Sequence, residues 1–234
     1  MRGTRAASVS RLDIDLYVIL DRTASLGRDL RDILEGVIRG GGRIVQFREK
    51  EWPSRQCLPL LEDLRRRAKS AGVSFVVNDR LDLALAVEAD GFHTGQDDLP
   101  APLARRLIPP SMFLGVSTHS LEQARTAQAD GADYVAVGSI FPTATKPEFQ
   151  LVGLDLLRAA RHAVTAPLIA IGGITPDNAP EAIRAGADGV AVISAVCGAP
   201  DPTLATRLFL DRIRAAKSAP KAVRTPLTER GEGL

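Results

Sequence analysis

Three stretches of the chain read almost alike: EADGFH at Glu88–His93, ADGADYVAVG at Ala129–Gly138, and AGADGVAVI at Ala185–Ile193. Each couples the end of a helical pattern, through Asp and Gly, to a short run of β-branched or small apolar residues. A recurring helix-to-strand exit is what a repeated βα unit produces. Working outward, apolar runs suited to buried strands recur at Leu16–Leu20, Arg43–Phe47, Val73–Val77, Gly91–His93, Phe113–Val116, Tyr134–Val137, Leu168–Ile171 and Gly189–Ile193. Between them, apolar residues fall at spacings of three and four, as at Leu58, Leu61, Leu64 and Ala68, which predicts amphipathic helices. Further helical patterns cover Leu30–Ile38, Leu81–Glu88, Leu121–Ala129, Leu154–Ala163, Ala179–Ala185 and Leu204–Ile213. Ser120 and Thr175-Pro176 read as helix starts, and Gly72, Gly91, Gly131 and Gly186 as helix exits.

Strands alternating with helices and lacking hairpin signals imply right-handed crossovers and a parallel sheet. Eight units in about 200 residues predict a single-domain α/β fold, a closed (β/α)8 TIM barrel. An open doubly wound sheet ranks second, because the first strand runs into Leu20-Asp21-Arg22-Thr23 instead of a glycine-rich dinucleotide turn. The domain reading is a flexible segment over 1–13, the barrel over 14–216, and a disordered tail over 217–234. That tail is rich in Pro, Gly and charge and poor in large apolar side chains, so it buries too little surface to offset its ordering entropy. Residues Met1–Arg11 carry three arginines, no acid and no apolar signal core.

Composition excludes several functions. The chain has 234 residues, 45% hydrophobic and 25% charged, with a net charge of +2, too near neutrality for a nucleic-acid or anionic-membrane partner. No apolar run reaches the ~18 residues of a membrane span. Cys57 and Cys197 lie far apart with no CxxC spacing, which argues against a disulfide framework or thiolate zinc site. Ten aromatic residues (7 Phe, 2 Tyr, 1 Trp) make a base-stacking platform unpromising. The expectation is a reduced, cytoplasmic protein acting on small molecules; a homo-oligomer is compatible with the sequence, which does not set the state.

In such barrels chemistry sits at the C-terminal ends of the strands, and polar residues gather there. In the second strand, alternation puts Val45 and Phe47 on one face and Gln46, Arg48 and Lys50 on the other. The apolar face must meet helices, so the polar set points to the barrel axis, where Arg and Lys suit an anion. An ion-pair network with Glu49 or other acids is the alternative. Asn78-Asp79 after strand three and Gln96-Asp97-Asp98 after strand four bring carboxylates together in the way proteins hold Mg²⁺ with waters and a phosphate. Spacing does not choose between Asp97 and Asp98, and Asn-Asp is also a helix cap. Ser117 and Thr118 follow strand five. Thr143, Thr145 and Lys146 after strand six form a dense donor set that resembles a phosphate clamp. Gly172-Gly173 and Ile193-Ser194 occupy the loops after strands seven and eight, the recurrent phosphate site of these barrels. His93 reads equally as an acid–base group or a structural histidine, and His162 as a surface residue.

The ordered motifs VQFREK (45–50), NDRLDLALAVEADGFHTGQDDLP (78–100), GVSTHS (115–120), VAVGSIFPTATK (135–146), AIGGI (170–174) and VAVISAV (190–196) resemble the thiamine phosphate synthase family over about Leu16–Ile213. That resemblance implies a transferase joining hydroxymethylpyrimidine diphosphate to hydroxyethylthiazole phosphate with loss of diphosphate. It implies that Gln46, Phe47, Arg48, Glu49, Lys50, Asn78, Ser117 and Lys146 hold the pyrimidine diphosphate. Asp79 and Asp98 would bind Mg²⁺, the family's spacing preferring Asp98. Thr143, Ala144, Thr145, Gly173, Ile193 and Ser194 would hold the thiazole phosphate. Arg48, Lys50, Ser117 and Lys146 would carry catalysis. Phe47, Thr94 and Ser139 depart from the commonest family residues. A thiazole tautomerase-like homologue and a non-catalytic binder of thiamine intermediates are the competing readings.

Overall fold

The computed structural model describes residues 13–143 and 151–219. Eight parallel strands close in sequence order into a barrel: β1 Leu16–Asp21, β2 Ile44–Arg48, β3 Ser74–Asn78, β4 Gly91–Thr94, β5 Phe113–Thr118, β6 Tyr134–Val137, β7 Leu168–Ile171 and β8 Gly189–Val192. The seam forms where Leu16, Tyr17 and Val18 pair with Val190, Ala191 and Val192. Helices α1 Leu30–Gly40, α2 Ser54–Ser70, α3 Leu81–Ala86, α4 Ala101–Leu107, α5 Leu121–Ala129, α6 Gly153–Ala163, α7 Ala179–Arg184, α8 Ser194–Cys197 and α9 Pro202–Ser218 follow in chain order.

Strand alternation divides the core in two. Val18, Leu20, Val45, Phe47, Val77, Val135 and Val190 pack outward against the helices. Tyr17, Ile19, Ile44, Val76, Phe113, Tyr134, Ala136, Ile169 and Ala191 fill the barrel interior. Because side chains alternate with period two, this outer layer turns the intervening residues of β2, Gln46 included, towards the axis.

Several boundaries differ from the sequence reading. Helix α4 escapes periodicity because only Ala101 and Ala104 are buried while Leu103 and Leu107 are exposed. Ser120 caps α5 by accepting from the Gln123 N–H at 3.1 Å. Thr175-Pro176, by contrast, lies in a turn in which the Thr175 N–H donates to Asn178 Oδ1 at 2.8 Å, and α7 begins only at Ala179. Gly72, Gly131 and Gly186 leave their helices with positive φ, whereas Gly91 opens β4 and Glu88 takes the left-handed turn at φ 50°. Helix α9 runs through Ser218, past the boundary drawn at Ala216, and Lys217 pairs with Asp15. The rest of the tail and the segment over 1–12 lie outside the described residues.

Candidate active site

A cavity of about 270 Å³ opens at the C-terminal ends of the strands. Gln46, Arg48, Lys50, Asn78, Asp79, Asp98, Ser117, Thr143, Gly173, Ile193 and Ser194 all line it. They come from seven of the eight strands or the loops that follow them. Ile19, Ile171 and Ala191 supply an apolar floor. Ala144, Thr145 and Lys146 lie outside the described residues.

Phe47 and Glu49 stand apart from the cavity. Phe47 is packed under the helices, as its parity in β2 requires. Glu49 turns back, accepting from Arg22 Nε at 2.7 Å and from the Glu51 N–H at 2.8 Å. The ion-pair alternative for the cations is also realised, although not through Glu49. Arg48 Nη1 donates to Asp21 Oδ2 on the neighbouring strand, directly across the register. Lys50 Nζ lies 3.3 Å from Asp79 Oδ2. Asp21 was discoverable from sequence, since it ends the apolar run LYVILD in the same way that Arg48 and Asn78 end theirs.

Asp79 and Asp98 face one another. Asp79 takes φ 57° at the end of β3, and its N–H donates to the His93 carbonyl at 2.8 Å. Asp98 Oδ2 accepts from the Gly95 N–H at 3.3 Å. Asp97 is exposed where Asp98 is half-buried. Burial first, then the adjacent Asp98 carboxylate, raises the Asp79 pKa above its ordinary value, and Lys50 only partly opposes the shift. Two like charges held together at a half-buried position suit a hard divalent cation, which accepts one or two carboxylates and completes its shell with water and phosphate oxygens. Among the described residues no cluster of three or more His, Cys, Asp or Glu side chains forms, so a divalent cation between these two carboxylates would draw its remaining ligands from water or a bound anion.

Ser117 Oγ lies 2.8 Å from His93 Nε2, and Gln96 Nε2 donates to the Ser117 carbonyl at 2.6 Å. His119 donates from Nδ1 to the Gly138 carbonyl at 2.6 Å, tying the β5 exit to the β6 exit. The β6 and β7 exits are joined in turn by Ile140 N–H to Ile171 O and Phe141 N–H to Gly172 O. These loops therefore hold one another as well as any ligand.

Fold and site together define a (β/α)8 barrel of the enzyme type, with cations, carboxylates and hydroxyls gathered at the C-terminal strand ends where such barrels carry their chemistry. The thiamine monophosphate synthase family model matches residues 16–196. The chain is 50% identical to thiamine-phosphate synthase of Moorella thermoacetica, covering 87% of this chain and 97% of that one. It is 52% identical to thiamine-phosphate synthase of Chloroflexus aurantiacus over 84% and 91% of the two chains. The solved thiamine phosphate pyrophosphorylase from Pyrococcus furiosus superposes with a TM-score of 0.80 at 38% identity, covering 87% and 96%. The chain belongs to the thiamine phosphate synthase family of transferases.

Proposed function

We propose that the protein condenses 4-amino-2-methyl-5-hydroxymethylpyrimidine diphosphate with 4-methyl-5-(2-hydroxyethyl)thiazole phosphate, giving thiamine phosphate and diphosphate in a Mg²⁺-dependent reaction. The observation that carries this reading is the convergence of Arg48, Lys50, Asn78, Asp79, Asp98 and Ser117 on one cavity with an apolar floor. The floor suits flat heteroaromatic rings and the rim suits a pyrophosphoryl group.

The C–O bond to diphosphate breaks with its electron pair leaving on oxygen, and the thiazole nitrogen lone pair forms the new C–N bond. The electron-rich aminopyrimidine stabilises positive charge at its methylene carbon, which favours a dissociative path. No proton need be removed from the nucleophile, so the step needs no general base. Arg48, held by Asp21, and Lys50 meet the charge that develops on the departing diphosphate, and Lys146 would add to them. Asp79 and Asp98 would hold Mg²⁺. When bound, Mg²⁺ supplies Lewis-acid neutralisation of the leaving group. Thr143, Gly173, Ile193 and Ser194 place the thiazole phosphate so that its nitrogen faces the carbon.

Purified protein mixed with both substrates and Mg²⁺ should release thiamine phosphate and diphosphate in equal amounts, and EDTA should abolish both. Asp79→Ala should lower kcat by roughly 100-fold or more, a loss on the scale of an electrostatic stabiliser. Full activity in that variant, or in EDTA, removes the metal role. Isomerised thiazole phosphate with no diphosphate release would instead identify a tautomerase, and saturable binding of both compounds without turnover a binder.

A further inference from the structure

A hydrogen-bonded chain crosses the barrel interior beneath the cavity. Gln46 Nε2 donates to Tyr17 Oη at 3.0 Å, Tyr17 Oη lies 3.0 Å from Tyr134 Oη, Tyr134 Oη lies 2.8 Å from His93 Nδ1, and His93 Nε2 lies 2.8 Å from Ser117 Oγ. These five residues belong to β2, β1, β6, β4 and β5. The chain has room because position 115 of β5 is glycine: a methyl there would collide with the Tyr134 ring and His93 Nδ1. With that space the His93 and Tyr134 rings lie nearly parallel, centroids 5.6 Å apart.

Each phenol has one proton, and the direction of the chain follows from leaving neither buried proton without an acceptor. Tyr17 already accepts from Gln46, so its proton goes to Tyr134. Tyr134 then donates to His93 Nδ1, which must be bare. The proton of the neutral imidazole therefore sits on Nε2 and is given to Ser117 Oγ. With the imidazole N–H filling the side that faces His93, the Ser117 hydroxyl must turn its own proton elsewhere. Burial raises the pKa of both tyrosines, so both remain donors throughout the working range.

We infer that His93 is a positioning residue, held in its Nε2–H tautomer by the Tyr134–Tyr17–Gln46 chain, which fixes Ser117 as a hydrogen-bond donor into the cavity. The kinetic consequence rests on the proposed reaction, because it requires that Ser117 meet the substrate; the tautomer itself does not. In the whole protein labelled with ¹⁵N-histidine, His93 should show a pyrrole-type Nε2 and a pyridine-type Nδ1, its signals being assigned as those lost in His93→Gln. A proton on Nδ1 overturns the inference whether or not the protein makes thiamine phosphate.

The kinetic arm separates the two ring nitrogens. Gln reaches where Nε2 lies and can still donate to Ser117, whereas Asn reaches only to Nδ1. His93→Asn should therefore lower kcat roughly 10- to 100-fold, the scale of losses from misplaced groups. His93→Gln should stay within about threefold of wild type, and in a Ser117→Ala background His93→Asn should cost no more than about twofold further. Equal losses in Asn and Gln, or a full additional loss in the Ser117→Ala background, would overturn the assignment. Should His93→Asn fail to fold, Tyr134→Phe gives the same reading. It keeps the ring and removes the proton that selects the tautomer, so Nδ1–H should become populated and kcat should fall only while Ser117 is present. An unchanged tautomer in Tyr134→Phe counts against the chain.

Discussion

Glu49 sits between two cavity-lining cations and yet serves the scaffold. Its carboxylate gathers Arg22 Nε at 2.7 Å and the N–H groups of Glu51 and Trp52 at 2.8 and 3.3 Å, while the Arg22 guanidinium lies 5.0 Å from the Trp52 ring centre. Burial opposes ionisation, but the Arg22 and backbone donors together outweigh it and hold the pKa below its ordinary 4.5. A carboxylate whose folded pKa is depressed stabilises the fold fully above its unfolded pKa, and that contribution is lost as pH falls through the folded value. Glu49→Gln should therefore cost about 1 kcal/mol at pH 7. The deficit should shrink below about pH 4.5, as wild type loses the same interaction. Urea unfolding of both proteins at pH 7 and pH 3.5 checks this. Undiminished stability with lost turnover would return Glu49 to the substrate. Alternation along β2 separates Phe47 from Gln46 and Arg48, but carried on to Lys50 it outruns the strand, which ends at Arg48, and so it does not reveal the partners of Glu49.

The repeated exit that reveals the fold has its own structural cause at the level of elements. Asp90, Asp133 and Asp188 stand just ahead of β4, β6 and β8. Each accepts the first or second N–H of the preceding odd strand, from Phe75, Leu114 and Leu168, at 2.8–2.9 Å. Each returns its own N–H to the carbonyl of that same residue. Each carboxylate is also held by an arginine from an even-numbered helix: Arg65 of α2, Arg105 of α4 and Arg161 of α6. The three clamps lie at the N-terminal face, where barrels place stability and not chemistry. The fourth quarter closes differently, with Lys217 and Arg214 of α9 facing Asp15 ahead of β1. The aspartates were legible as a repeat. Their partners were not, because α2 offers Arg65, Arg66 and Arg67 in succession and only the backbone path selects Arg65. Exposure ranks the clamps. Arg105 and Asp133 are 15% and 8% exposed, against 29% and 45% for Arg161 and Asp188. Arg105→Ala should cost about 3 kcal/mol by stranding a buried charge, and Arg161→Ala about 1 kcal/mol or less. Equal shifts in urea midpoint at unchanged m-value would refute that ordering.

At the scale of the whole molecule, closure is what brings residues from β2 and β8 to one cavity, and closure depends on a seam that the sequence pattern does not advertise. Strand count, order and inward parity could be read from apolar runs, because a sheet buried on both faces leaves few alternatives for a run of β-branched residues. The cavity's composition followed, since polar residues ending apolar strands have nowhere else to point. The seam depends instead on backbone contact between β8 and the segment before β1. The Val190 N–H donates to the Asp15 carbonyl at 3.0 Å, and the Ile14 carbonyl presses on Gly189 so closely that an added methyl would overlap it. A backbone carbonyl fixed in a seam cannot rotate aside. At Gly91 the obstructing group is instead the Phe113 ring, a side chain. Gly189→Ala should therefore cost about 3 kcal/mol or more, the upper range for overpacking, and no truncation of neighbouring side chains should relieve it. Gly91→Ala should also destabilise, but Phe113→Leu in the same chain should restore part of the loss. Thermal unfolding followed by circular dichroism reads both. A Gly189→Ala protein melting within about 2 °C of wild type, a shift worth about 1 kcal/mol or less for a domain of this size, would mean that the seam yields and that closure rests on the helices α1, α7 and α9 around it.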